Sequence, residues 1–253
     1  MTRPILTLTT DFGLTDHFVG AMKGVIARRA PDATIVDLAH DIPPGDIAHA
    51  AWVVSTSAPE FPWGAVHVVV VDPGVGGARR GVIASAAGQW YVGPDNGVLA
   101  YVTNRHTQAW AIDAQQLGTG VSRTFHGRDV FAPVAVSLAL GEQATRWGQP
   151  IQLSGELPWG PRPNGQGRVV HIDRFGNLIT DLPRAEAGTA VSVEGHTIAM
   201  YSTYEDVPTG KELAYIGSAR TVEIAVRDGR ADTRLGVQRG ALVTPVKDAG
   251  PYR

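Results

Sequence analysis

Cysteine is absent from the 253-residue sequence, which excludes a disulfide framework, a thiolate zinc site and a cysteine nucleophile. There is no excess of charge of either sign: 22 Lys+Arg against 24 Asp+Glu leave a formal net charge of −2. That balance argues against nucleic acid or an anionic membrane as a partner. No segment approaches the ~18 uninterrupted apolar residues of a transmembrane helix. Met1-Thr2-Arg3-Pro4 runs at once into a strand-like segment, without the apolar core and small-residue cleavage site of a signal peptide. A soluble, cytoplasmic protein is expected. The eight histidines show neither H-E-x-x-H nor a paired short spacing, so no metal site is expected. Internal repeats and low-complexity tracts are missing as well.

What remains is an ordinary globular composition, 43% hydrophobic and 18% charged, on a chain long enough for one large domain or two modest ones. Gly and Pro number 30 and 17, rich in turns but below the roughly 25–30% that marks disorder. The first part of the chain alternates. Ile5–Thr10 is β-rich, and Phe18–Arg29 carries Phe18, Met22, Val25 and Ile26 on one helical stripe. Thr34–Ala39 is again β-branched, and Asp46 can cap a helix bearing Ile47, Ala50, Ala51 and Val54. In Ala65–Val71 the valines are almost unbroken, the pattern of a strand covered on both faces. Gly81–Ala87 and Gln89–Val92 pivot on Gly88, and helices are expected at Val98–Thr103 and Val130–Leu140. This alternation predicts an α/β domain with a largely parallel sheet over residues 1–147.

Residues 148–167, with Pro150, Pro158, Pro161 and Pro163, are expected as a linker. From 168 to 253 the chain turns to short alternating runs: Arg168–Ile172, Leu178–Asp181, Ala190–Val193, Thr197–Tyr201, Thr221–Val226 and Ala241–Val246. They predict an all-β, barrel-like second domain.

Four motifs can carry chemistry. Thr9-Thr10-Asp11-Phe12-Gly13 follows the first strand, and ligands of open α/β sheets sit beyond the carboxyl ends of strands. Asp11 there can accept from a ribose diol or bind a metal, or it can simply cap a turn. Asp72-Pro73-Gly74-Val75-Gly76-Gly77-Ala78-Arg79-Arg80 also sits at a strand end, but it lacks the G-x-G-x-x-G spacing and the Gly-Lys-Ser/Thr of nucleotide loops. Arg79 or Arg80 can pair with Asp72 and hold it ionised, which equally suits a structural ion pair pinning a tight loop. His126, in Thr124-Phe125-His126-Gly127-Arg128-Asp129, stands at a helix start as a base, an anion contact or a turn residue. Asp173-Arg174-Phe175-Gly176-Asn177 sets an acid, an aromatic and an amide around a turn, able to grip an amine and stack on a purine, or to be a plain hairpin.

Together and in this order, with Asp16, Met22-Lys23-Gly24 and Gly93-Pro94-Asp95-Asn96-Gly97, these motifs resemble one family from Leu6 to about Ala231. It is that of the S-adenosyl-L-methionine (SAM) hydroxide adenosyltransferases, related to the SAM-dependent fluorinase and chlorinase. The resemblance implies an N-terminal α/β domain, a C-terminal β-barrel-like domain, and a homotrimer with SAM at subunit interfaces. It implies hydrolysis of SAM to adenosine and L-methionine with no metal and no second organic cofactor. By motif, the water-activating residues map onto Asp72, Arg79 and His126, and the ribose-diol carboxylate onto Asp11. Contacts to the methionine part map onto Asp16, Asp173 and Ser218, and adenine contacts onto Phe175 and Asn177.

The chain also departs from its halogenating relatives. They carry tyrosine where it has Asp72, serine or glycine at Gly127, and the fluorinase places a tryptophan at Gly45. Arg220 comes one place later than the fluorinase arginine, which leaves its contact with the substrate carboxylate open. A carboxylate several ångströms from a halide repels it by ~1 kcal/mol in water, and by more once desolvated. The same group bonded to water can draw off a proton, so Asp72 favours water or hydroxide as nucleophile. A halide adenosyltransferase and a SAM- or adenosine-binding module with incidental turnover are the competing readings. A phosphohydrolase is disfavoured by the missing metal carboxylate cluster.

Overall fold

The computed structural model describes residues 3–247, so Met1-Thr2 and the last six residues of the expected second domain lie outside it. The chain divides into two compact units, Met1–Pro158 and Trp159–Arg253.

In the first unit β1 (Ile5–Thr10) leads to α1 (Phe18–Arg29), β2 (Thr34–Ala39), α2 (Ile47–Ser57) and β3 (Val66–Val70). A hairpin of β4 (Gly81–Ala86) and β5 (Gln89–Pro94) follows, then β6 (Gln108–Ala111), α3 (Ala132–Ala139) and β7 (Pro150–Ile151). The sheet order is β2-β1-β3-β5-β4-β6-β7. The β2-β1-β3-β5 strands pair in parallel and the remaining strands antiparallel, so the sheet is mixed. β3 shows why its sequence is nearly all valine. Val66, Val68 and Val70 pack into one cluster with Met22 and Ile26 of α1 and Val134 of α3. Val69 and Val71 pack into another with Ala50 and Val54 of α2. Asp46 caps α2 by accepting from the His49 N–H at 3.1 Å, satisfying one of the four donors a helix start leaves free.

Two expectations fail in this unit. Val98–Thr103 forms hydrogen-bonded turns rather than a helix, with Ala100 N donating to Gly97 O and Val102 N to Leu99 O. Val98 and Leu99 bury themselves through these turns without a helix. The stretch expected as a linker is structured where it starts, since Pro150–Ile151 pairs with β6. Ser154 and Gly155 then donate their backbone N–H groups to Asp95.

The second unit comprises β8 (Gly167–Ile172), β9 (Leu178–Pro183), β10 (Ala190–Val193), β11 (His196–Ala199), β12 (Glu212–Ile216), β13 (Thr221–Val226), α4 (Ala231–Leu235) and β14 (Leu242–Val246). Its order is β11-β10-β14-β8-β9-β13-β12. A bridge between Met200 and Ala214 draws the two edge strands together into a barrel-like sheet, which hides strand edges that would otherwise invite pairing. Leu178, Leu182, Val191, Ile224 and Val243 fill its interior. Among the described residues no helix is long and apolar enough to cross a membrane.

Candidate active site

β1 and β3 lie side by side in parallel register, Thr10 opposite Val70. Their carboxyl ends therefore open on the same edge of the sheet, which is where parallel α/β sheets collect ligands. Asp11 follows β1 and Asp72 follows β3, and both line a cleft of about 410 Å³ with His126. The cleft belongs wholly to the first unit.

Arg79 organises the cleft's charge. Its Nε donates to Asp72 Oδ1 at 2.9 Å and one terminal nitrogen donates to Asp72 Oδ2. That nitrogen also donates to His126 Nδ1 at 2.8 Å. A guanidinium has only donors, so His126 Nδ1 is the acceptor and its ring proton sits on Nε2. Burial pulls the His126 pKa below its ordinary value, and the Arg79 charge adds to that against Asp72 and Asp129. The imidazole is thus held neutral with an N–H to offer. Both side chains of the ion pair are buried, Asp72 at 5% and Arg79 at 12% exposure, so water screens the pair little.

Two further contacts fix the strand end and the facing loop. Asn96 Nδ2 donates to Val71 O at 2.9 Å, beside Asp72. Asp129 accepts from Ser122 N at 2.9 Å and pairs with Arg128, whose bonds keep the carboxyl below its usual range against burial. Between these loops the backbones nearly touch. A Cβ on Gly76, whose φ is +76°, would lie 2.5 Å from Arg123 O, so only glycine fits.

Asp11 Oδ2 accepts from Gly45 N at 2.8 Å, while its other oxygen accepts from no described residue. The absence of a side chain at Gly45 leaves the cleft open at that point. Phe12 and Phe125 form walls, with ring centroids 6.1 Å apart and edge to face. Both residues stood inside sequence motifs, but nothing in the spacing marked them as walls. Of the two arginines able to hold Asp72, Arg79 does so. Arg80 instead pairs with Asp95, and burial, which pushes that carboxyl up, is outweighed by bonds from Gly155, Arg80 and Ser154.

The second unit holds the other assigned residues. Between β8 and β9 the Asp173–Asn177 turn closes with Gly176 N donating to Asp173 O at 3.0 Å. Asp173 Oδ1 accepts from Phe175 N and Asn177 N, and Oδ2 accepts from Asn177 Nδ2, all at 2.9 Å. A carboxylate takes about four hydrogen bonds, which leaves one acceptor direction free. Phe175, 73% exposed, and buried Asn177 border a cleft of about 720 Å³ with Tyr204 and Arg230. Tyr204 carried no signal in the sequence, since it lies on a short turn far along the chain. Asp16 and Ser218 are exposed and line neither cleft. Arg220, also exposed, sits at φ +61° in the β12–β13 loop, a backbone position usually given to glycine.

Comparison with known proteins agrees across both units. The model of the SAM hydroxide adenosyltransferase N-terminal domain matches residues 6–148, and that of the C-terminal domain matches 167–244. An (R)-S-adenosyl-L-methionine hydrolase of Thermus thermophilus is 42% identical over 254 residues, covering 95% of this chain and 98% of its own. One from Salinispora arenicola is 40% identical, covering 94% and 95%. The crystal structure of an uncharacterized conserved protein from Thermotoga maritima superposes with a TM-score of 0.83 at 34% identity, over 95% of this chain and 98% of that one. The chain belongs to the SAM hydroxide adenosyltransferase family.

Proposed function

We propose that the protein hydrolyses SAM by in-line attack of water on C5′. The water oxygen forms the new bond to C5′, the C5′–S bond breaks, and methionine leaves as a neutral thioether with the bonding pair. Adenosine, L-methionine and one proton result. The sulfonium already makes methionine a good leaving group, so the site's task is alignment, which is worth several kcal/mol, and removal of one proton from water. No metal or second organic cofactor is required by this chemistry.

The observation that carries the reading is the single Arg79 guanidinium bonded to both Asp72 and His126 Nδ1. With Nδ1 occupied by Arg79, the proton goes to Asp72, whose oxygens keep lone pairs beyond those Arg79 uses. His126 serves as an Nε2–H donor that orients the incoming oxygen. Arg79 fixes the carboxylate and balances the charge that develops as hydroxide character grows. Asp11 takes the ribose diol, Asp16, Asp173 and Ser218 take the methionine part, and Phe175 and Asn177 take adenine. The relatives' name specifies the (R) epimer at sulfur, and the same epimer is assigned here.

The assembly is a homotrimer with substrate sites at subunit interfaces, and the location is cytoplasmic. Sedimentation velocity checks the trimer; a monomer that turns over SAM sinks it. The defining experiment incubates the protein with SAM in 18O-water, with and without chloride, and analyses the products by mass spectrometry. Adenosine carrying 18O at C5′ is expected. Intact SAM beside co-purified adenosine would make the protein a binding module, and a 5′-chloro product would refute the exclusion of halide by Asp72.

A further inference from the structure

Behind the Asp173–Asn177 turn runs a chain of polar side chains to which the reaction assigns nothing. Asn177 Nδ2 donates to Tyr204 Oη at 3.1 Å as well as to Asp173 Oδ2. Tyr204 and Tyr215 share a hydroxyl–hydroxyl bond of 2.5 Å, and Tyr215 donates to Glu223 Oε2 at 2.5 Å. Tyr215 and Glu223 are each only 9% exposed and Asn177 6%.

The proton inventory gives this chain one direction. The Asn177 atom touching the Asp173 carboxylate must be the nitrogen, because a carboxylate only accepts. Both amide hydrogens are then used, one on Asp173 and one on Tyr204. The single hydrogen of Tyr215 goes to Glu223, so Tyr204 gives its own to Tyr215 and meets Asn177 as an acceptor. Asn177 Oδ1 takes no hydrogen bond from any described residue, and Asn177 borders the second unit's cleft. The far end is built as carefully. A Cβ on Gly217 would lie 1.8 Å from Glu223 Oε1, although the Gly217 backbone is not in the left-handed region. Glycine is there to make space for the carboxyl.

We propose that Glu223, acting through Tyr215 and Tyr204, is a positioning residue that locks the Asn177 amide with Oδ1 as a lone acceptor, so that the site selects a purine carrying an amino donor. This rests on the assignment of Asn177 to adenine. A buried polar group left unpaired by the wrong ligand is costly, which turns one fixed acceptor into selectivity.

The test titrates the full-length protein with adenosine and with purine riboside, which has hydrogen in place of the 6-amino group. Wild type should prefer adenosine by about tenfold. Tyr204→Phe and Glu223→Met should cut that preference to about twofold and raise KM for SAM by a similar factor, with kcat nearly unchanged. Glu223→Gln, whose amide oxygen still accepts from Tyr215, should keep it. A merely structural role would lower Tm and weaken both nucleosides equally; an unchanged ratio in Tyr204→Phe therefore overturns the proposal, even if Glu223→Met fails to fold. If Asn177→Ala binds adenosine as wild type does, the assignment of Asn177 to adenine fails instead, and the selectivity falls with it.

Discussion

The two units treat buried polarity in opposite ways. In the first, a fixed cation stands between two groups of the cleft: Arg79 spans Asp72, which follows the parallel strand β3, and His126, which opens a helical segment. In the second, among the described residues, no cation pairs with the buried Glu223. Glu223 is pushed above its usual range by burial, aided by the nearby Asp173 charge and opposed by the Tyr215 bond, and burial likewise raises the Tyr215 hydroxyl. A charged, short network suits a step in which charge develops. A neutral relay of hydroxyls suits the recognition of an uncharged base edge, where direction matters more than field. On the roles proposed above, the contrast gives rate to one unit and selectivity to the other.

The largest effect that would break this division is on rate. Asp72→Asn should lower kcat by about 10²- to 10⁴-fold, the usual worth of a general base, while SAM affinity stays within about threefold. Equal losses in rate and affinity would show Asp72 to be a binding group. Next comes acid stability. His67 lies wholly buried in β3, bonded to Thr7 at 2.8 Å and stacked on Tyr91, and burial lowers its pKa from 6.5 to about 4. The unfolded chain protonates this residue below pH 6.5 and the folded chain does not until about pH 4. Its contribution is full above 6.5 and is lost as pH falls to 4, about 3 kcal/mol in all. Glu223 has the opposite sign, since a raised carboxyl stabilises at low pH and loses that contribution as pH rises. Acid titration followed by tryptophan fluorescence, whose reporters Trp52, Trp63, Trp90, Trp110 and Trp147 lie in the first unit, should show early unfolding there. In His67→Phe that acid transition should move to lower pH.

Smaller still is Asp11→Ala. It should weaken SAM and adenosine together by about 10- to 100-fold, the range of a charged hydrogen bond, because both carry the ribose diol. Calorimetry with each ligand measures this, and affinity retained for both would remove the diol from Asp11.

Where sequence and structure agree, the cause is local periodicity. Ile5–Thr10, Phe18–Arg29 and Thr34–Ala39 form as strand, helix and strand within the limits their apolar spacing predicts. Glu212–Ile216 escaped because Leu213, Ala214 and Tyr215 are buried in succession, which erases the alternation that marks a half-covered strand. Gln108–Ala111 is too short to stand out, and Val98–Thr103 mimics a helix only in composition. The site follows the same logic. Asp11, Asp72 and His126 could be read because each ends or begins an element, and strand ends are where chemistry collects. The choice of Arg79 over Arg80 needed the partner Asp95, and the relay from Asn177 to Glu223 needed two turns and two strands to be folded first.

One feature of the first unit has its meaning in chain length rather than chemistry. Residues Gly127–Phe131 wind as a π turn, in which Ala132 N reaches back to Gly127 O, before α3 continues in ordinary α form. A π turn is an α-helix with one surplus residue, and each residue turns a helix by about 100°. The buried face of α3 is set by its packing, so the surplus residue sets the compass bearing of His126. Losing one residue here would leave the hydrophobic stripe intact and swing the imidazole by roughly a quarter turn. What this point of the chain must keep is a count, because the place of the histidine depends on it.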